Sequence, residues 1–260
     1  MKIIISPAKK MRTDNDAFAP CCLPSYIGKT EYLMEYMKSL TYEQCKEIWK
    51  CSDKIAKLNY RRFQEMELNK NLTPALLSYE GIQYQYMAPA VMEEGAFAYL
   101  QEHLRILSAF YGMLRPFDGV VPYRLEMQAR MGGHSRCPEL DSLYDYWGAA
   151  MAEDIAAKDR VILNLASKEY SRCISRYLRE DIAFVTCVFG ERSGGKVIEK
   201  GTLAKMARGE MVRFLAQSKA GSIEDVRKFK GLGYCFQEAY SDDSTLVFLK
   251  EAREKEEALT

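Results

Sequence analysis

Two periods of apolar and polar positions share the chain. Short apolar runs, Lys2 to Ile5 and Val161 to Leu165, each end in a polar loop, Ser6-Pro7-Ala8-Lys9-Lys10 and Ala166-Ser167-Lys168-Glu169-Tyr170. Short runs of this kind bounded by turn formers predict strands covered on both faces. The helical period runs through Tyr26 to Ser39, Tyr42 to Lys50, Asp53 to Leu68, Glu93 to His103 and Leu143 to Lys158, with Ser52 the expected cap before Asp53. Leu104 to Leu114 predicts a strand running into a turn at Arg115-Pro116, whereas Gln83 to Ala90 carries no regular period. Beyond Leu165 the pattern predicts a helix to Leu178, a strand at Ile182 to Phe189, a Gly-rich turn, and a strand at Val197 to Glu199. An amphipathic helix at Thr202 to Gln217 follows, then an antiparallel hairpin of Gly233 to Ala239 with Thr245 to Leu249. Strand, polar loop and helix in succession predict parallel units. The expected fold is therefore α/β (mixed α+β): a single domain over 1–260 with a central mixed sheet, flanking helices and a helix-hairpin-helix-like insertion at about 42–66. The acidic stretch Glu251 to Thr260 is expected to be a solvated helix end.

Composition narrows the function classes. At 260 residues, 48% hydrophobic and with 17 tyrosines, the chain is too apolar for disorder and too long for a small stapled scaffold. Lys+Arg 37 against Asp+Glu 36 leaves a net charge of +1, so any polyanion site is a local patch. Eight cysteines include no C-x-x-C, which leaves metal and redox motifs unsupported and fits a reduced, cytoplasmic protein. No apolar run approaches membrane-spanning length, so no membrane partner is expected. With two histidines in the chain, neither a His-dependent triad nor a His-rich centre is supported; His134 and Cys137 have ligand-like spacing but make only half a site. No metal and no cofactor are expected. Gly190 to Lys196 matches the start of a P-loop, yet Val197 stands where Ser or Thr would bind Mg²⁺ and a strand follows, so a hairpin turn is the better reading.

Two segments carry chemistry. Tyr111 to Met127 packs Arg115, Arg124, Asp118, Glu126, Tyr111 and Tyr123 among turn formers, the kind of loop in which sites sit. Further on, Lys205, Arg208 and, less squarely, Arg213 recur near helical spacing, and Glu191 to Lys230 holds ten basic against five acidic residues. Lys46 to Lys70, with seven basic and four acidic residues, is a second basic block containing Lys54 and Arg62. The alternatives are an ordinary solvated helix face for the first and a plain helical pair for the second.

The segments Ile3-Ile4-x-Ser6-Pro7-Ala8-Lys9, Ser52-Asp53-Lys54-Ile55-Ala56-x-Leu58-Asn59-x-x-Arg62-Phe63, Tyr111-Gly112-x-Leu114-Arg115-Pro116, Pro122-Tyr123-Arg124-Leu125-Glu126-Met127, Asn164-Leu165-Ala166-Ser167-x-Glu169-Tyr170 and Lys205-x-Ala207-Arg208-Gly209-x-Met211-x-Arg213 occur in this order. Together they resemble the YaaA family of bacterial peroxide-stress proteins. The resemblance implies a cytoplasmic protein of the peroxide response, linked to limiting free iron and oxidative DNA damage, with a fold peculiar to the family. It also implies DNA binding through a positive cleft and a helix-hairpin-helix element. In this chain that element would centre on Cys51-Ser52-Asp53, which lacks the usual glycines.

Two readings follow. In the first, duplex DNA is held without sequence preference by phosphate contacts drawn from Lys9, Lys54, Arg62, Arg115, Arg124, Ser167, Lys205, Arg208 and Arg213. In the second, an enzyme acts on a nucleotide, nucleobase or phosphorylated small molecule, with Glu126, Glu169 and Tyr111 as candidate catalytic groups. The first needs only cations on a groove; the second needs carboxylates and tyrosines converging in a pocket. If Lys2 to Ile5, Leu104 to Phe110 and Val161 to Leu165 are neighbouring parallel strands, their loops emerge on one edge and bring such groups together.

Overall fold

The computed structural model describes residues 1–14, 18–131 and 140–250; His134, Cys137 and the acidic stretch from Glu251 lie outside them. The apolar run at the start forms the strand Lys2–Ile5, with Ile3, Ile4 and Ile5 wholly buried. It pairs in parallel on both sides, with Leu104–Ser108 (Ile3 opposite Leu104) and with Val161–Leu165 (Ile3 opposite Leu163). Val161–Leu165 in turn pairs in parallel with Ala183–Ser193, and that strand with Thr245–Lys250. Antiparallel additions complete a nine-stranded mixed sheet: Gly112–Leu114 at one edge, Tyr234–Phe236 with Lys230–Gly231 at the other, and Lys196–Ile198 on the far end of Ala183–Ser193. The fold is a single mixed α/β domain, as the pattern implied, and the Thr245–Lys250 strand and Tyr234–Phe236 form the expected closing hairpin.

The Gly-rich segment that imitates a P-loop is a hairpin turn. Lys196–Ile198 folds back on Ala183–Ser193, and Gly194 and Gly195 take φ of 56° and 76° between them. Successive positive φ angles are what a tight two-residue hairpin turn demands.

Three elements differ from the sequence expectation. Leu104 to Leu114 is two antiparallel strands, because the Ser108 hydroxyl accepts from the backbone N–H of Phe110 and Tyr111 and closes a turn at 109–111. Gly112 completes that turn at φ 75°, and a side chain there would meet the Trp147 ring at 2.8 Å. Leu143 to Lys158 is broken into Leu143–Trp147 and Ala150–Ala156 by Gly148 at φ 53°. Gln83 to Ala90, expected to be irregular, contains the helix Ile82–Met87, whose Gln83, Tyr84 and Met87 are buried. Local propensity does not make that helix; packing against the long helix Gly201–Ser218 does.

The two helices approach closely because Gly209 offers no side chain at the crossing: a Cβ there would lie 2.1 Å from the Gln83 carbonyl oxygen. The obstacle is backbone, which cannot rotate aside. Gly209→Ala is therefore expected to lower stability by about 1–3 kcal/mol despite alanine's better helix propensity, through overpacking. A urea melt of the variant with a midpoint at or above that of the parent protein would contradict this account.

Candidate functional site

Parallel pairing makes the C-terminal ends of Lys2–Ile5 and Val161–Leu165 neighbours, so their loops meet. The Ser6 hydroxyl accepts from the Ser167 backbone N–H at 2.8 Å and donates to the Ser167 hydroxyl at 3.2 Å. Ser167 stands at the start of the helix Lys168–Ser175, but its hydroxyl makes no capping bond and is engaged across the loop junction instead. Above this junction lies a cavity of about 330 Å³. The two loops, the Ile82–Met87 helix, the long helix and the segment 123–126 form its walls.

In the segment after Val121, buried and half-buried positions alternate from Val121 to Met127. The alternation places Arg124 and Glu126 on the same half-buried side. The Glu126 carboxylate bridges two cations, accepting from Arg124 Nη2 at 3.0 Å and meeting Lys9 Nζ at 2.6 Å. Lys205 and Arg208 come from successive turns of the long helix; Arg208 reaches Glu199 at 3.4 Å. Glu169 also lines the cavity, and its carboxylate accepts weakly from the Gln128 backbone N–H at 3.4 Å. The wall between these charges is aromatic. Burial pushes the Tyr123 phenol up to about 12 and those of Tyr84 and Tyr170 well above the usual tyrosine value, so all three stay protonated at neutral pH. They act as hydrogen-bonding hydroxyls: Tyr84 donates to the Ser6 carbonyl at 3.0 Å, and Tyr123 shares a chain with Tyr79 at 2.9 Å and Ser108 at 2.7 Å.

Of the residues singled out in the sequence, Lys9, Arg124, Glu126, Ser167, Glu169, Lys205 and Arg208 line this one cavity. Arg115 and Tyr111 do not. The tight turn after Ser108 returns the chain antiparallel along Gly112–Leu114, carrying Arg115 to the opposite end of the sheet, beside Gln101, Glu102 and Arg105. There its side chain donates to the buried Asp118 carboxylate at 3.0 Å and to Cys22 Sγ at 2.7 Å. Tyr111 is fully buried, and its hydroxyl accepts from the Val121 N–H at 3.0 Å. Arg213 lies on the long helix beyond the cavity wall. Arg62 is half-buried, donates to the Met11 carbonyl at 3.3 Å and to Asn59, and ties its helix to the short strand Lys10–Met11.

Lys54 is exposed on the helix Asp53–Gln64, which packs against Tyr42–Trp49 across a turn containing Lys50 in the left-handed region at φ 44°. Ser52 holds the cap position of that helix without a side-chain bond. Asp53 at the turn is bonded by Lys57, Tyr42 and Lys46, which hold its carboxyl well below the usual carboxylate range. A permanent negative charge thus sits where a hairpin of this type would receive a phosphate.

Local pattern reading missed Gln83, Tyr84 and Tyr170 as cavity residues. Gln83 and Tyr84 lie on the helix that only tertiary packing creates, so no periodic signal marked them. Among the described residues no three His, Cys, Asp or Glu side chains are arranged to hold a metal ion, and no helix is long and apolar enough to cross a membrane.

Comparison with known proteins places this geometry in context. Residues 1–240 match the family model described as peroxide stress protein YaaA. The chain is 54% identical over 250 residues to a UPF0246 protein of Lachnoclostridium phytofermentans, covering 96% of each. It is 51% identical to a UPF0246 protein of Agathobacter rectalis over 95% of this chain and 98% of that one. A UPF0246 protein of Desulfitobacterium hafniense is 50% identical over 98% of this chain and 100% of its own length.

A peroxide link raises the question of thiol chemistry. Burial pushes the Cys45 thiol up to about 11 and Cys173 up to about 12, and it raises Cys187 further still. Cys22 is raised by burial and by the neighbouring Asp118, against the opposing effect of Arg115. Cys21 is exposed. A thiol must ionise to attack an alkylating agent or peroxide. Brief iodoacetamide treatment of the native protein at pH 8 should therefore label Cys21 and leave Cys45, Cys173 and Cys187 unmodified in peptide mass spectra. Early labelling of any of these three would contradict the burial argument.

Proposed function

The chain belongs to the peroxide stress protein YaaA family, and from that membership we propose that it protects the cytoplasm during peroxide stress by binding DNA phosphates at the strand-end cavity. The observation that supports this reading is the convergence of Lys9, Arg124, Lys205 and Arg208 from three separate segments at one concave site. Contacts of this kind carry affinity and little sequence information. Phosphates occupied by protein cations are unavailable to iron, which is how such binding would limit iron-dependent damage. The hairpin at Lys50 to Asp53 is the weaker candidate for contact, because Asp53 engages Lys46 and Lys57 and so offsets two of its positive charges.

A second reading is favoured by a specific observation. Glu126, Glu169, Tyr123 and Tyr170 share the cavity with the cations. Carboxylates weaken a purely electrostatic groove, whereas an enzyme acting on a nucleotide or another phosphorylated small molecule needs such groups for proton transfer or for binding hydroxyls.

Duplex binding through four cations is expected to show a log-log salt slope of about −4. Replacing Lys9, Lys205 and Arg208 together by Ala should weaken binding to all sequences alike and reduce the slope by about 3. A flat salt response, or a triple variant that binds as the parent does, would refute this interface. Asp53→Asn tests the hairpin separately: if the hairpin touches DNA, freeing its lysines should tighten low-salt binding, and unchanged affinity removes it from the interface.

A further inference from the structure

The cavity contains an imbalance that duplex binding does not answer. Three of its lining residues each hold a buried nitrogen without a hydrogen-bond partner: Gln83 Nε2, Arg124 Nε and Arg208 Nε. Gln83 is 7% exposed, and the Arg124 and Arg208 side chains are 12% and 14% exposed, so these donors lie largely out of bulk solvent. Buried polar groups are nearly always paired, and leaving one unpaired costs about 1–3 kcal/mol. All three are donors. A ligand carrying acceptors at two places, one beside the guanidinium groups and one beside a neutral carboxamide, would match these side chains.

The rest of the lining shapes that partner. Two arginines suit the oxygens of a phosphate, which guanidinium groups bind with charge-assisted hydrogen bonds. A carboxamide set among aromatic and apolar walls suits a heteroaromatic ring with carbonyl or ring-nitrogen acceptors, the way side-chain amides read bases. Tyr84 adjoins Gln83 on the same helix, and Tyr123 and Tyr170 complete the wall. At about 330 Å³ the space lies at the small end of ligand pockets, sufficient to enclose one nucleotide-sized molecule, whereas a duplex could offer it only backbone phosphates at the rim. Glu126, bridging Lys9 and Arg124, is an internal counter-ion that an entering phosphate would compete with for both cations.

We propose that the cavity binds a single nucleoside monophosphate unit, with its phosphate on Arg124 and Arg208 and its base against the tyrosine wall with an acceptor on Gln83. This deepens the reading of the cavity as the functional site and rests on it. The unit can be a free mononucleotide or a nucleotide drawn out of a strand; the chemistry recognised is the same.

Calorimetric titration of the full-length protein with the four common nucleoside 5′-monophosphates, the matching nucleosides and inorganic phosphate tests this, with oligonucleotides carrying an unpaired base as the strand-borne form. At least one monophosphate, free or strand-borne, should bind about tenfold or more tighter than both inorganic phosphate and its own nucleoside or fully paired strand. Gln83→Leu, which removes an unpaired donor at nearly constant volume, should weaken the monophosphate by about tenfold while leaving inorganic phosphate and low-salt duplex binding unchanged. If Gln83→Leu does not fold, the parent protein's ranking of ligands decides alone. The proposal is overturned if inorganic phosphate binds as tightly as every monophosphate, if no ligand binds, or if folded Gln83→Leu discriminates as the parent does. A duplex shift on the same sample separates the two levels: duplex binding without monophosphate binding removes the nucleotide pocket and leaves the electrostatic reading standing, and loss of both removes both.

Discussion

Everything at the site depends on one pairing, that of the strand Lys2–Ile5 held parallel between Leu104–Ser108 and Val161–Leu165. With both edges hydrogen-bonded and Ile3, Ile4 and Ile5 buried, the strand has no freedom of register. A slip of one residue would turn the isoleucines over and carry Ser6 away from Ser167. The Ser6–Ser167 hydrogen bonds are thus a readout of register, and the positions of Lys9 and Glu169 follow from them.

Charge at the site is arranged as tension rather than as simple excess. Lys9 and Arg124 share one carboxylate, Arg208 leans weakly on Glu199, and two guanidinium nitrogens remain unpaired under cover. Such a set is costly to maintain, because burial in a low-dielectric wall raises the penalty for every unmatched donor. The close crossing at Gly209 is what keeps the cover in place, since it presses the short helix bearing Gln83 and Tyr84 over the cavity.

How much of this was legible in the sequence depended on the range of the forces involved. Lys2 to Ile5 and Val161 to Leu165 announced themselves, because a short β-branched run before a polar loop is a local signal, and the parallel arrangement put Ser6, Lys9, Ser167 and Glu169 where their strands end. Arg124 and Glu126 were readable from their concentration among turn formers. Arg115 misled for a definite reason: the Ser108 hydroxyl closes a turn that no hydrophobic period betrays, and that turn reverses the chain. Gln83 was hidden more deeply. Its helix is too short and too weakly patterned to predict, and it forms only because a glycine more than a hundred residues away lets another helix approach.

The strand order has a consequence for biosynthesis. The strand that begins the chain occupies the middle of the sheet, and its two partners begin at Leu104 and Val161. A nascent chain synthesised only as far as His103 therefore holds an apolar strand with both edges open, and the second edge stays open until Val161–Leu165 has been made. Contacts this distant in sequence form slowly, and open apolar edges are where chains associate wrongly. Until the strand at Val161 emerges, the first strand is thus the part of the nascent chain most open to wrong pairing.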